Sequence, residues 1–571
     1  MSKAATAKIL AQIYGPSRAS AFLPQLEQRI ERYASRVMTE DDRYMFTERD
    51  AVLITYGDQI RDDGRAGLEV LGEFLDRHVG PLVSTVHILP FCPYSSDDGF
   101  SVIDYYAVAD GLGGWPAVEA LGNRYRLMFD LVLNHVSAGS AWAKGFVKGD
   151  AKYADYFITL EPDADVSDVV RPRSHPLLTP MDTARGRKWV WTTFSADQMD
   201  LNYENPDVLL KMVDILLTYV QHGARLIRLD AIAYLWKRLG TPCVHLTETH
   251  AVVRLLRNVL DRVAPEVVIV TETNVPHAEN ISYLGDGTDE AQMVYQFSLA
   301  PLVAHALVRE DSRYLRQWAA TAAVEWPCTT LNFTASHDGV GLRPLEGILA
   351  EEEREALVAA AGERGGLVSY RSRPDGSRSP YELNVNYLAL LQAPGEDENR
   401  AARRFLLSQS IMLVMPGVPG VYFHSLVGST NDREAVRRTG RARSINRAKP
   451  ELSALEDELR HHGRRRMVFN TYKTMLEKRR GLPCMHPHAS FSLPESGPDI
   501  FAVQRGDGHA AVLAVHNLSA QVRTCRFRPE AGCYGTLHDV LSGRTFRAEP
   551  DRHGFVGVDL GACDFVWLVP H

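Results

Sequence analysis

Apolar residues fall along this chain in two alternating rhythms. Unbroken runs rich in β-branched residues, VSTVHILPF, YRLMFDLVL, ARLIRLDAI, EVVIVTE and TTLNFTA, recur up to about residue 335. Between them lie segments such as DVLLKMVDILLTYVQHG and ETHAVVRLLRNVLDRV, whose apolar positions return at helical spacing. A strand covered on both faces reads as a continuous apolar run, and such strands separated by amphipathic helices predict a parallel sheet. The number of repeats suits a closed (β/α)₈ barrel better than an open sheet. No G-x-G-x-x-G follows an early strand and no G-x-x-x-x-G-K-[ST] occurs, so nucleotide-binding open sheets lose their usual support.

Two long stretches interrupt the rhythm, from about Ser137 to Asp200 and from about Gly339 to Glu398. Both directly follow a strand-like run, so both are expected to overhang the same end of the barrel; loops of that length carry function or small subdomains. After about Pro483 short β-like segments (DIFAVQRG, HAAVLAVHNLS, VRTCRFRP, GFVGVDLG, FVWLVP) alternate with Gly, Asn and Asp, predicting an appended antiparallel β domain. The pattern SRASAFLPQLEQRIERYASR predicts an N-terminal helix on the outside of the barrel. The expected organisation is therefore N-terminal helices and the first barrel part over 1–136, an inserted subdomain over 137–200, barrel over 201–338, a second insertion over 339–398, the end of the barrel over 399–483, and the β domain over 484–571.

Composition narrows the function. Hydrophobic residues make up 45% and charged residues 23%, values of an ordinary globular protein rather than a disordered or fibrous one. The net charge of -8 is spread without a basic face, which disfavours a nucleic-acid partner. No run reaches the ~18 apolar residues of a membrane span and the start lacks a signal-peptide core, so a cytoplasmic location is the expectation. Cys92, Cys243, Cys328, Cys484, Cys525, Cys533 and Cys563 are scattered and odd in number, and read as buried thiols rather than disulfides or a zinc site.

Four acidic motifs carry the chemistry: DLVLNH (Asp130 to His135), RLIRLDA (Arg225 to Ala231), VVIVTET (Val267 to Thr273) and FTASHD (Phe333 to Asp338). Each places a carboxylate where a strand is expected to end, and strand ends of a barrel converge on one face. Arg228 and Asp230 are two apart and share a face of their strand, so the guanidinium is expected to keep Asp230 ionised, as a nucleophile must be. Glu272 ends a very apolar strand, where desolvation raises a carboxyl group toward the working pH and makes a proton donor. Such a pair suits retaining glycosyl transfer. His337 and Asp338 add a cation-capable donor and an acceptor for sugar hydroxyls. A strand-end carboxylate can equally be a helix cap or a surface ion pair, but four in this order point to one pocket.

On these motifs the chain resembles the α-amylase superfamily of retaining glycosidases and transglycosylases (glycoside hydrolase family 13), and within it the sucrose phosphorylase-like branch, from about Tyr44 to the C-terminus. The resemblance implies Asp230 as nucleophile, Glu272 as general acid/base and Asp338 as transition-state stabiliser. It places Asp130, Asn134, His135, Arg228 and His337 at the glucose site, with Tyr105 among the substrate contacts. LITYGD resembles the branch's opening motif, with Asp58 on the distal glucose hydroxyls and Arg443 of TGRARSINR as its partner. TFSADQMD implies Phe194 as an aromatic platform and Gln198 as a polar contact, and Tyr234 lies four residues after the nucleophile. VRPRSH matches the Arg-Pro-Arg loop (Arg171, Pro172, Arg173), with Arg173 the candidate phosphate ligand.

The chain departs from sucrose phosphorylase where that branch reads Asp-Leu-Tyr-Gln: here SPYELNVN offers Tyr381, Glu382 and Asn384, preceded by Arg371, Arg373 and Arg378. Arginines there suit an anionic acceptor, and the layout resembles that of glucosylglycerate phosphorylases. Sucrose or sucrose 6′-phosphate phosphorylase, glucosylglycerol phosphorylase and a retaining hydrolase or transglucosidase remain as alternatives, as does a solvated loop for the arginines. A non-catalytic binding protein is disfavoured because all three carboxylates are kept. The resemblance implies small-molecule partners only, a monomer or homodimer, and neither metal nor organic cofactor. Many amylases hold calcium through the asparagine of the first motif, but the closer branch does not generally rely on it.

Overall fold

Eight parallel strands close on themselves: β1 (Val52–Thr55), β2 (Thr85–Ile88), β3 (Arg126–Val132), β4 (Ala224–Asp230), β5 (Val268–Thr271), β6 (Met293–Tyr295), β7 (Thr329–Asn332) and β8 (Val418–Tyr422). Every strand pairs with its sequence neighbours, and β8 pairs with β1 to complete the barrel. The computed structural model describes residues 3–36, 43–372, 377–529 and 534–570. The continuous apolar runs are the physical reason for this sheet, because each strand is covered by side chains inside the barrel and by helices outside.

Helix α1 (Lys3–Tyr14) and helix α2 (Pro16–Ala34) precede the barrel and pack on its outer helices α3 (Pro206–Gln221) and α4 (Thr247–Val263). Ala19, Phe22, Leu26, Ile30 and Tyr33 recur at three and four residues along α2 and are buried there. Two ion pairs fasten the same surface, Arg29 to Asp214 at 3.1 Å and Arg262 to Glu27 at 2.7 Å. Helix α3 starts where the sequence demands it, with Pro206 in its first turn and the Asn205 side chain accepting from the Asp207 N–H.

Register brings the chemistry together. In the β3/β4 pair Asp130 lies opposite Arg228 and Val132 opposite Asp230; in the β4/β5 pair Leu229 lies opposite Thr271, one residue before Glu272. The first interruption folds into an antiparallel pair, His135–Ser137 with Gln198–Asp200, and a three-stranded sheet of Thr159–Leu160, Leu178–Thr183 and Gly186–Trp191. The second carries a three-stranded sheet (Val340–Gly341, Leu367–Ser372 and Arg378–Asn384) and a helix, Glu351–Glu363. Beyond the barrel, strands from Phe491 to Pro570 form antiparallel sheets of six and three strands around a second apolar core. That unit docks through buried polar contacts: Trp567 Nε1 donates to Ser410 Oγ at 2.8 Å, and Arg505 donates to Val414 O at 2.9 Å.

The six cysteines among the described residues are free and buried; Cys533 lies outside the described residues. No helix among the described residues is long and apolar enough to cross a membrane.

Candidate active site

The end of β4 supplies the centre of the site. Arg228 is buried, with Nη1 2.9 Å from Asp230 Oδ1 and in short contact with Asp130, and Nη2 3.8 Å from Glu272 Oε1. His87 Nε2, 2.7 Å from Asp130, holds the other side of that carboxylate. The guanidinium therefore sits behind the pocket and spaces three acids from below. After Asp230 the chain turns sharply: Ala231 takes φ 52°, a left-handed conformation that strains a residue with a Cβ. The turn aims the Ala231 N–H at Glu272 Oε2, 3.1 Å away, and so ties the loop after the first acid to the second.

Asp230, Glu272 and Asp338 line one cavity. Asp338 comes from the loop after β7 and is met by Arg443 Nη1 at 2.7 Å. Burial pushes Asp230 well above the usual carboxylate range; Arg228 pulls it down, and Glu272, Asp130 and Asp338 push it up again. Burial also raises Glu272, against the pull of Arg228. Burial opposes ionisation of Asp338 as well, but Arg443, Arg228 and Arg447 together hold it low. Arg228 therefore does not act on Asp230 alone: two crowded carboxyl groups share one guanidinium and both are raised, while Asp338 is held low.

Around this centre, His135, His337, Phe194 and Gln198 form the cavity wall. His135 Nε2 is 2.9 Å from Phe100 O, and Gln198 is set by Ser195 Oγ, which donates to its Oε1 at 2.8 Å. His337 stacks on Phe100 with ring centroids 4.8 Å apart. Burial, then Arg228 and Arg447, hold His337 far below its usual range, so it is a neutral imidazole and not the cation-capable donor expected. At the other side Tyr234 meets Phe194 edge to face at 5.4 Å. Arg173 lies over both Phe194 and Tyr381, 5.9 and 5.3 Å from the ring centroids. Its guanidinium is held by these faces and by Pro172 O at 3.3 Å, with no carboxylate in ion-pair range among the described residues.

Several expected positions fall elsewhere. Asp58 pairs with Lys449 in an adjoining depression, while Arg443 grips Glu382 through two bonds of 3.0 and 2.7 Å, so the expected Asp58–Arg443 partnership is not formed. Tyr105 is buried behind the wall, donating to Val132 O at 2.6 Å and His135 O at 3.0 Å; it braces the strand end instead of facing the cavity. Asn384 donates to Ser369 Oγ within its own sheet, and Arg371 is drawn to Glu346 and Ser379; neither lines the cavity. Arg378 is exposed at the start of its strand, and Arg373 lies outside the described residues. Residues not anticipated include Asn274 and Asp97 in the lining. Arg447, within the same run as Arg443, donates to His337 O and pairs with Asp98 at 2.6 Å. Asn274 directly follows the third motif and Arg447 ends the TGRARSINR run, whereas Asp97 carried no sequence signal.

Asn134, the asparagine through which many amylases hold calcium, meets a built-in cation. Lys237 Nζ lies 2.7 Å from both Asn134 Oδ1 and Asp200 Oδ2, and all three side chains are buried. An ammonium thus neutralises Asp200 and joins β3 to the first inserted segment.

The Alpha-amylase family, described as alpha amylase, catalytic domain, matches residues 82–338. Glucosylglycerate phosphorylase of Spirochaeta thermophila is 46% identical to this chain, covering 99% of it and 98% of that protein. Glucosylglycerate phosphorylase of Escherichia coli is 43% identical, covering 90% and 92%. Among solved structures, sucrose 6F-phosphate phosphorylase from Thermoanaerobacter thermosaccharolyticum shares the fold with a TM-score of 0.73 at 22% identity, covering 86% of this chain and 98% of that one.

Proposed function

We propose, for a chain that belongs to the α-amylase family, that it is a retaining α-glucoside phosphorylase acting on glucosylglycerate. In the forward direction Asp230 attacks the anomeric carbon as the bond to the glycosidic oxygen breaks, and the proton carried by the Asp230–Glu272 pair passes through Glu272 to that oxygen. Glycerate leaves and a glucosyl ester remains. Phosphate then attacks the anomeric carbon, its proton goes to Glu272, and the Asp230 carboxylate is released with α-glucose 1-phosphate. Asp338, kept ionised by Arg443, stabilises the positive charge that develops on the sugar in both steps.

A hydrolase could use the same three acids, so the reading rests on one further observation: Arg173 is at the cavity wall with its charge unspent on a carboxylate. A phosphate dianion approaching three acids needs such a donor. The similarity to glucosylglycerate phosphorylases of two bacteria supports glycerate as the acceptor.

The test is to incubate the enzyme with glucosylglycerate with and without phosphate and to assay α-glucose 1-phosphate. Phosphate-dependent formation is expected; free glucose as sole product in both tubes overturns the reading. Synthesis from α-glucose 1-phosphate with glycerate, glycerol, fructose or fructose 6-phosphate then ranks acceptors, and glycerate is expected to lead.

A further inference from the structure

A further arginine, singled out by no motif, stands behind the cavity wall formed by Tyr381 and Asn274. Arg343 opens the turn that follows Val340–Gly341, the short edge strand pairing Gly341 with Glu382. The Leu342 N–H donates to Tyr381 O at 2.9 Å, which fixes Arg343 against the segment that carries Tyr381. Gly341 is required for this approach, because a Cβ there would lie 2.5 Å from Asn274 Oδ1, and Asn274 lines the cavity.

Arg343 is nearly buried and its guanidinium is only partly hydrogen-bonded. It is 8% exposed, its Nε has no hydrogen-bond partner, and its nearest acid, Glu279, is 3.4 Å from Nη2. Glu279 is itself shared with His245 Nε2 at 3.1 Å. Arg371, by contrast, is matched at short range by Glu346. The field of Arg343 falls on the Tyr234 phenol: burial raises that hydroxyl, and among the cations that lower it again Arg343 acts most strongly, ahead of Arg173 and Arg371. Tyr234 lines the cavity and meets Phe194 edge to face. A desolvated cation with an incomplete counterion is the arrangement that favours an incoming anion.

Resting on the glucosylglycerate reading above, we infer that Arg343 is a specificity-determining residue, which acts from behind Tyr234 to select an acceptor bearing a carboxylate over a neutral polyol. It serves as a positioning residue: the charge reaches the acceptor through the Tyr234 and Asn274 wall. Arg173 remains free for phosphate, so the two anions of the reaction are met by different guanidinia.

The experiment compares Arg343→Gln and Arg343→Lys with wild type in synthesis from α-glucose 1-phosphate, with D-glycerate and with glycerol as acceptors. In Arg343→Gln the KM for glycerate is expected to rise about tenfold more than the KM for glycerol. Arg343→Lys, which keeps the charge, recovers most of the preference. A wild type without preference for glycerate overturns the acceptor reading and this inference with it. A wild type that prefers glycerate beside an Arg343→Gln protein that keeps the same glycerate-to-glycerol ratio overturns the inference alone. Equal losses with both acceptors in Gln and Lys variants also overturn it, because they report a structural role.

Discussion

Replacing Lys237 by methionine removes the ammonium that joins Asn134 and Asp200 while keeping most of the side-chain volume. The side chains of Lys237 and Asp200 are only 4% and 0% exposed, so the variant leaves a carboxylate in the interior without its counterion. Breaking a buried pair in this way costs about 3–5 kcal/mol. Asp200 keeps three donors, the Thr193 N–H at 2.8 Å, Thr193 Oγ1 at 2.6 Å and Asn134 Nδ2 at 3.1 Å, which places the loss at the low end, about 3 kcal/mol. With an unfolding entropy of about 2.1 cal/mol/K per residue over 571 residues, that loss lowers Tm by roughly 2 to 3 °C if the chain unfolds as one unit. Activity falls as well, since Asp200 ends the strand Gln198–Asp200 that pairs with His135–Ser137, and His135 and Gln198 both face the cavity. Denaturant unfolding of Lys237→Met, Asp200→Asn and the double variant measures the coupling. The double variant is expected to lose less than the two singles together. A single-variant loss below about 1 kcal/mol with additive singles would refute the argument, because it would show that the remaining hydrogen bonds already neutralise Asp200.

Three further outcomes follow from the same geometry. Glu272→Gln should cut turnover by about 10²- to 10⁴-fold, with steady-state kinetics as the readout. The same variant should melt higher than wild type near pH ~8: Asp230 and Glu272 have raised folded pKa values, so the stability linked to their protons is complete below the unfolded value of ~4.3 and is lost as pH rises through the folded values. Melting curves across pH check this, and a gap that widens toward acid contradicts it. Arg173→Ala should raise the KM for phosphate about tenfold or more and shift the product ratio toward free glucose, read by quantifying glucose 1-phosphate and glucose together.

Much of this architecture was readable in the chain because its physical causes are local. A strand buried on both faces must be apolar throughout, so β3, β4 and β5 stand out, and a carboxylate at the edge of such a run has few places to go but the barrel mouth. Arg228 and Asp230 were legible together for the same reason, since alternation fixes which side chains share a face. Pairing between loops was not. Arg443 binds Glu382 and Asp338, Asp58 takes Lys449, and Arg447 takes Asp98, in a segment where Asp97 and Asp98 adopt φ 52° and 48°. Residue type does not advertise such a conformation. The arginine-rich run near Arg371 drew notice by composition, whereas Arg343 acquires its position only through strand pairing with the Tyr381 segment. Charge density along a sequence is a poor guide to charge left unsatisfied in three dimensions.

The seam of the barrel joins Val52 to Gly420. A ribosome must therefore release more than four-fifths of the catalytic scaffold's polypeptide before the first strand meets its last neighbour, and until then the nascent sheet carries two open edges that invite other chains. A pause of synthesis inside the second insertion therefore leaves those edges exposed for longer, whereas one of equal length in the C-terminal sheets falls after the barrel strands have all been made.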